Sequence, residues 1–285
     1  MKSCARLGAA LAVLAALLIS TGCSKLKARD QLNKGVQAYK GANYEEAIER
    51  FKNAVNLDPD LKVAKLYLAT AYAQQYVPGV DAPDNVKMAK QAIDEYQKVL
   101  QNDPSSVNSL KGIAFLYMQM KDFDNARQYY KKAIGLDPND PEIYYSVGVI
   151  DWSQAYKDAA DLKAKNDMKV DDELKGKTGQ KLCQQLAEKD GPAIDEGMKM
   201  LQQAIDKRQD YDDAMAYMNL LYRRKANDMT CDDAQQRADL KKTADEWSDK
   251  AMEARKKKAE AAAKKNTGGI ILEQTPSPTP TPAQK

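Results

Sequence analysis

The sequence predicts an all-α protein, a solenoid of stacked helix-turn-helix units with inserted loops, and three observations carry that prediction. A pattern of small residue, aromatic, small residue and proline occurs in Asn43 to Asp60 (NYEEAIERFKNAVNLDPD), near Ala92 to Pro104, and in Asp122 to Asp140 (DFDNARQYYKKAIGLDPND). Ala47 and Ala126 stand four before Phe51 and Tyr130, Ala54 and Ala133 follow, and Pro59 and Pro138 close each copy. Small and aromatic positions therefore share one helix face. Pro104 to Pro138 is a clean 34-residue step, and five such units use most of the 285 residues without a second core.

The first unit spans 28–61. Asn43 is placed to cap its second helix, with Glu46 three residues on, and Pro59 stands where the helix cannot continue. The pattern resembles the tetratricopeptide repeat, a helix-turn-helix unit of about 34 residues, and the resemblance implies a right-handed solenoid. On that resemblance Gly35 and Ala47 lie where the hairpin's helices approach closely, while Phe51 and Ala54 face the next unit. The second unit, 62–106, carries Leu68, Ala69 and Tyr72, then Ala92, Tyr96, Val99 and Pro104. Pro59 to Pro104 is 45 residues, so about eleven extra residues are expected in its hairpin turn. Gln75 to Asn85 (QYVPGVDAPDN) has loop chemistry.

The third unit, 107–140, is uninterrupted, with Leu110, Ile113, Ala114, Tyr117, Ala126, Tyr130, Ala133 and Pro138 in place. A fourth, 141–211, opens with Asp140 as cap and Pro141 at the first helical position and continues through Tyr144, Val147 and Gly148. Its partner helix is expected to start at Gly191-Pro192, with Gly197, Leu201 and Ala204 in phase, after an insertion of about 37 residues. A fifth, 212–255, begins with DDAMAYMNLLY and has its second helix around Leu240 to Arg255. The stripes of alanine and aromatic residues are read as core, not as a cofactor box.

Histidine is absent, which removes the commonest general base and metal ligand. The adjacent glycines Gly268 and Gly269 lack the Lys-Ser/Thr of a phosphate loop. Acidic pairs such as Asp171-Asp172, Asp212-Asp213 and Asp232-Asp233 read as caps and solvated ends. No catalytic, cofactor-binding or metal-binding residue is assigned, no cofactor is expected, and the protein is read as non-enzymatic. Removing residues 1–22, which hold Lys2 and Arg6 and no acid, leaves 42 basic against 41 acidic residues, so no global basic bias points to nucleic acid.

Residues 1–22 have a signal-peptide layout: Lys2 and Arg6, an apolar run from Leu7 to Ile19, then Ser20-Thr21-Gly22-Cys23. In helix the apolar run reaches about 20 Å, short of a bilayer core. Small residues directly before a cysteine resemble the bacterial lipobox, although Ser20 stands where leucine is usual. The resemblance implies acylation of Cys23, a lipid-anchored linker at 23–27, and, with Ser24 rather than aspartate next, anchoring at the outer membrane facing the periplasm.

The folded part then keeps Cys183 and Cys231, expected to pair in an oxidising compartment and closing a loop of 48 residues worth roughly 4 kcal/mol. Two sulfurs without histidine speak against zinc.

The repeat resemblance places Tyr39, Lys40, Thr70, Lys111, Phe115, Met118, Tyr145, Trp152, Arg223 and Arg224 toward the inner face, an aromatic and basic mixture suited to peptides. The partners expected are other envelope proteins or peptides, and the membrane through the N-terminal lipid. The alternative reading is a periplasmic glycan or small-molecule binder that stacks ligands on Tyr145 and Trp152. Residues 256–285 read as a basic helical extension (KKKAEAAAKK), a short apolar piece around Ile270 to Leu272 and an extended Pro/Thr tail, TPSPTPTPAQK.

Overall fold

The computed structural model describes residues 23–266, and the described residues form ten α-helices. Helix α1 covers 23–40, followed by α2 (Tyr44–Leu57), α3 (Lys62–Gln75), α4 (Pro83–Asn102), α5 (Val107–Gln119), α6 (Phe123–Leu136), α7 (Pro141–Ala164), α8 (Gly176–Lys207), α9 (Asp212–Asp228) and α10 (Ala234–Asn266). Neighbours in sequence are neighbours in space, α3 on α4, α5 on α6, α7 on α8 and α9 on α10, and the hairpins stack in chain order. The fold class is the predicted one, an all-α solenoid of helical hairpins.

Local chemistry explains where the helices start and stop. The Asn43 side chain accepts from the Glu46 N–H at 3.3 Å and its amide donates to the Glu46 carboxylate at 3.1 Å, while Asp122 caps α6 through the Asn125 N–H. Helices α2, α4 and α6 each end on an aspartate followed by proline, Asp58, Asp103 and Asp137. Each aspartate also accepts from the backbone N–H two residues on, Asp60, Ser105 and Asn139, at 3.2 to 3.3 Å. The repeated Asp-Pro is thus a turn device, with the side chain folding the linker and proline stopping the helix.

Burial follows the repeat. In α2, Ala47, Ile48, Phe51 and Ala54 are buried; in α4, Ala89, Ala92, Ile93, Tyr96 and Val99; in α6, Ala126, Tyr130 and Ala133. Glycine opposite a large side chain recurs. A Cβ on Gly35 would lie 2.5 Å from the Phe51 ring, one on Gly112 2.4 Å from Tyr96, and one on Gly148 2.5 Å from Leu201. Three cores stack in series, centred on Phe51 and Tyr72, on Tyr130 and Ile150, and on Leu201 and Leu221.

The insertions differ from their sequence reading. Of the loop expected at Gln75 to Asn85 only 76–82 is non-helical, since Pro83 to Asn85 form the first turn of α4. Asn85 holds that loop with three hydrogen bonds, accepting from the Val77 N–H and donating to the Val77 and Val80 carbonyls, all within 2.8 Å. In the fourth unit the extra residues lengthen both helices of the hairpin. Helix α8 runs unbroken through Pro192, so the partner helix starts at Gly176 and not at Gly191. The reason is that apolar residues in one register flank the proline on both sides, Leu182 and Leu186 before it and Ile194 and Leu201 after it, and their burial outweighs the one backbone hydrogen bond proline removes. Helix α10 begins at Ala234 and continues past Arg255, absorbing the basic stretch 256–265.

Residues 23–27, expected as a linker, are helical and open α1, with Cys23 exposed at its first position. Cys183 of α8 and Cys231 of the α9–α10 turn form a disulfide, with Cα atoms 5.4 Å apart. It lies beside a small satellite core of Ala159, Leu174, Leu182 and Leu186 under the lengthened hairpin. Among the described residues no helix is long and apolar enough to cross a membrane. The expected signal segment 1–22 and the tail 267–285 lie outside the described residues.

Candidate functional site: an aromatic groove on the solenoid

A groove of about 1040 Å³ opens along α7, walled by the α3–α4 loop (Pro78, Gly79), the α5–α6 turn (Met118, Gln119, Lys121, Phe123), α9 (Asp213, Ala216, Tyr217, Leu220) and Arg255 of α10. Its floor is the face of α7 that carries Tyr145, Val149, Trp152, Ser153, Tyr156 and Ala160. These positions recur every three or four residues, so one helix presents all of them along a single line. The opposite face of α7 packs Tyr144, Val147 and Ile150 into the core.

The rings hold one another. Tyr145 lies 5.1 Å from Tyr211 and 5.6 Å from Tyr217, edge-on to the latter. Trp152 is edge-on to Tyr217 at 5.4 Å and stacks on Tyr156 at 5.3 Å. Mutual packing of this kind fixes ring orientation before any ligand arrives, which lowers the ordering cost of binding. Burial, then the Tyr217 ring, pushes the Tyr145 hydroxyl above its ordinary value. Burial and then Asp213 do the same for Tyr217. Both phenols therefore stay neutral at physiological pH and keep a proton to donate.

Most charges on the rim are paired within the chain, Lys121 at the α5–α6 turn not among them. Lys157 meets Asp161 at 2.7 Å, and Arg255 reaches Asp212 at 2.8 Å and Asp213 at 3.2 Å. Asp212 also accepts from Lys258. The acidic pair Asp212-Asp213 is thus the first turn of α9 clamped to α10, and Asp212 is buried there and not the cap or solvated end expected from sequence. The groove's recognition surface is mostly apolar and aromatic.

Of the residues placed on the inner face from sequence, Met118, Tyr145 and Trp152 line this groove. Phe115, one turn from Met118, is 47% exposed. The others lie elsewhere. Tyr39 packs edge-on against Tyr44 in the first hairpin, with Lys40 exposed beside it. Thr70 bonds to the Leu66 carbonyl and the Tyr96 hydroxyl. Lys111 is held by Asp140 at 2.6 Å, and Arg223 turns to Asp245 of α10, also at 2.6 Å.

Arg224 is a correction. It is buried, pairs with Asp228 at 2.6 Å and stacks on Tyr156, so it presents no surface to a partner. The cause is the lengthened fourth hairpin. Lys163, fully buried at the end of α7, pairs with Asp228 at 2.7 Å and donates to the Val170 and Asp172 carbonyls, folding 165–175 over the end of α9. Sequence reasoning could not see this, since register alone says nothing of an insertion's path.

Residues that sequence missed are Tyr156, Tyr211, Tyr217 and the α3–α4 loop wall. Tyr156 follows Trp152 by four, a spacing that puts both on one face. Tyr211 owes its position to Glu142, which accepts from both the Tyr211 hydroxyl and Arg208 Nη1. Arg208 stands where the earlier units have the aspartate before proline, and this pairing to α7 replaces their turn device.

A second, smaller cavity of about 320 Å³ lies between α6, α7 and α8, lined by Arg127, Gln154, Asp158, Lys189, Asp190 and Glu196 among others. Beside it, fully buried Asp151 is gripped by Arg127 at 2.8 Å, yet burial pushes its carboxyl up to about 6. Burial, then the charge of Asp158, also raises Asp190.

Residues 107–140 and 63–106 each match the tetratricopeptide repeat family. A curated relative, a DnaJ homolog subfamily C member 7 homolog of Schizosaccharomyces pombe, is 27% identical over 119 residues, which are 41% of this chain and 23% of that protein. The chain therefore spans about a quarter of that relative's length. A crystal structure of MamA protein superimposes with a TM-score of 0.53 at 14% identity, covering 87% of this chain and 98% of that one. MamA 41-end from Desulfovibrio magneticus RS-1 gives 0.53 at 16% identity over 81% and 96%. At such identities the likeness shows the fold, and it extends over hairpins well beyond the two matched repeats. Residues 63–140 of the chain are thus tetratricopeptide repeats, and the hairpins around them share the fold of such arrays.

Proposed function

We propose that this protein is a non-enzymatic interaction scaffold that holds an extended protein segment in the aromatic groove of α7. The observation that carries the proposal is the line Tyr145, Trp152, Tyr156 on one helix face, braced by Tyr217 and facing a pre-ordered loop. Rigid aromatic anchors in a concave, largely apolar site are what peptide recognition uses. Trp152 has one face stacked on Tyr156 and its side against Tyr217, an arrangement that suits an intercalating side chain better than a flat sugar ring.

The scaffold belongs, on this proposal, on the periplasmic side of the outer membrane, anchored through acylated Cys23 and organising envelope proteins. The sequence before Cys23 supports it, and so does the exposure of Cys23 at the start of α1. With helix from residue 23 onward, a lipid there places the first hairpin directly against the bilayer.

In-cell crosslinking followed by affinity capture and mass spectrometry tests the groove. Tyr156→Ser with Trp152→Ala is expected to remove a defined set of captured proteins while circular dichroism stays unchanged. An unchanged set from a folded double variant refutes the reading.

A further inference from the structure

The groove and the chain's own C-terminus match each other chemically. From Thr275 to Pro282 (TPSPTPTP) every residue is either a proline or directly precedes one. Proline fixes φ near −65°, and the residue before a proline is driven to β or polyproline II backbone, so all eight positions are biased to the same extended conformation. Such a segment pays little conformational entropy on docking. Lacking an N–H at alternate positions, it cannot pair as a regular strand, and its remaining mode of recognition is ring against ring in an aromatic-lined groove.

The groove supplies that partner. Tyr145, Trp152 and Tyr156 lie on its floor with Tyr217 in its wall, and the Lys157–Asp161 and Arg255–Asp213 pairs neutralise four of its five rim charges, leaving Lys121. A segment without charge from Thr275 to Pro282 therefore meets a surface that is mostly apolar and aromatic, with one lysine at its rim. The lengths agree too. From Tyr145 to Ala160 the floor runs about 22 Å at helical rise, and eight residues of polyproline II run about 25 Å.

Connectivity permits the match in one molecule. Helix α10 contributes Arg255 to the groove wall and ends at Asn266, about 17 Å further on. Residues 267–274 can span about 26 Å when extended, enough to return to the wall.

We infer that the Pro/Thr segment 275–282 occupies the α7 groove of its own chain and must be displaced by any incoming partner. This rests on the groove being a binding site for extended segments. It makes the tail a built-in competitor, and the local concentration supplied by a short tether, on the millimolar scale, sets how strongly it competes.

The test uses the full chain in a Trp247→Phe background, so that Trp152 is the sole tryptophan, and a synthetic TPSPTPTP peptide. Replacing Pro276, Pro278, Pro280 and Pro282 together by serine in the full chain is expected to shift Trp152 emission and to tighten binding of the added peptide about tenfold. Tyr156→Ser, on the exposed side of the floor, is expected to weaken the peptide in both backgrounds. Equal peptide affinity in the proline and serine chains overturns the inference, as does failure of the peptide to bind either chain. If captured partner segments without proline still bind in a Tyr156-dependent way when the peptide does not, the groove reading survives and self-occupancy alone falls. Peptide protection that depends on protein concentration means the tail reaches a second copy, which also overturns occupancy within one chain.

Discussion

At the scale of single residues the most informative side chain is Asp151. Its carboxyl is fully buried beside Arg127, yet burial outweighs the cation and raises it to about 6. A carboxyl with a raised folded-state pKa binds its proton more tightly in the folded than in the unfolded chain. The stability it confers is therefore fully present below the unfolded value near 4 and is lost as pH rises through about 6. Relative to wild type, Asp151→Asn should gain about 2 to 3 kcal/mol between pH 4 and pH 7, with the gain levelling off above pH 6 to 7. Urea unfolding across that range measures it, and a flat difference curve contradicts the assignment.

Gly148 makes a second residue-scale prediction. A Cβ there would meet the fully buried Leu201 side chain at 2.5 Å and the Gly197 carbonyl at 3.2 Å, so Gly148→Ala should destabilise by about 1 to 3 kcal/mol despite its better helix propensity. Thermal or urea unfolding checks the sign.

At the scale of elements, the α3–α4 loop and the lengthened fourth hairpin decide the shape of the site. Asn85 makes all three side-chain hydrogen bonds that hold the loop, so Asn85→Ala should accelerate amide exchange at Val77 and loosen the groove wall. The global cost is expected to be only about 1 kcal/mol, because the loop is solvent-exposed. The Cys183–Cys231 bridge ties α8 to the α9–α10 turn across 48 residues. Replacing both cysteines by serine should cost up to roughly 4 kcal/mol, read by unfolding of oxidised wild type against the variant.

These elements also show what sequence discloses and what it hides. Helix faces were legible because they repeat: Ala126, Tyr130 and Ala133 announce their own burial. Cap and stop residues were legible at Asn43 and Pro138, whereas the aspartate before each proline went unread although it recurs three times. Pro192 misled because a single breaker was weighed above an apolar register that continues on both sides of it. Arg224 misled because its burial depends on Lys163 and the path of 165–175, a contact between segments far apart in sequence. Met118 and Trp152 were found by register, while Tyr217 enters the site only because α9 packs on α7 and sets its ring against Trp152.

At the scale of the whole molecule the hairpins stack into a solenoid whose groove is built where the array is least regular. Its floor is the lengthened α7, and the inserted α3–α4 loop and α10 join the α5–α6 turn and α9 in its walls. Regular repeats supply a rigid frame, and insertions supply the shape that distinguishes this member. On the proposed anchoring, Cys23→Ala should move the protein from the membrane to the soluble fraction without changing its fold, which fractionation together with circular dichroism checks.

The most direct test of the central claim, that the α7 groove is where this protein holds an extended segment, is site-specific photocrosslinking in cells. A photoreactive residue at Tyr156 is compared with one at Lys199, exposed on α8 outside the groove. Adducts mapped by mass spectrometry should be abundant at position 156, should fall on extended segments, and should be sparse at position 199. Equal labelling at the two positions, or adducts at 199 alone, contradicts the claim.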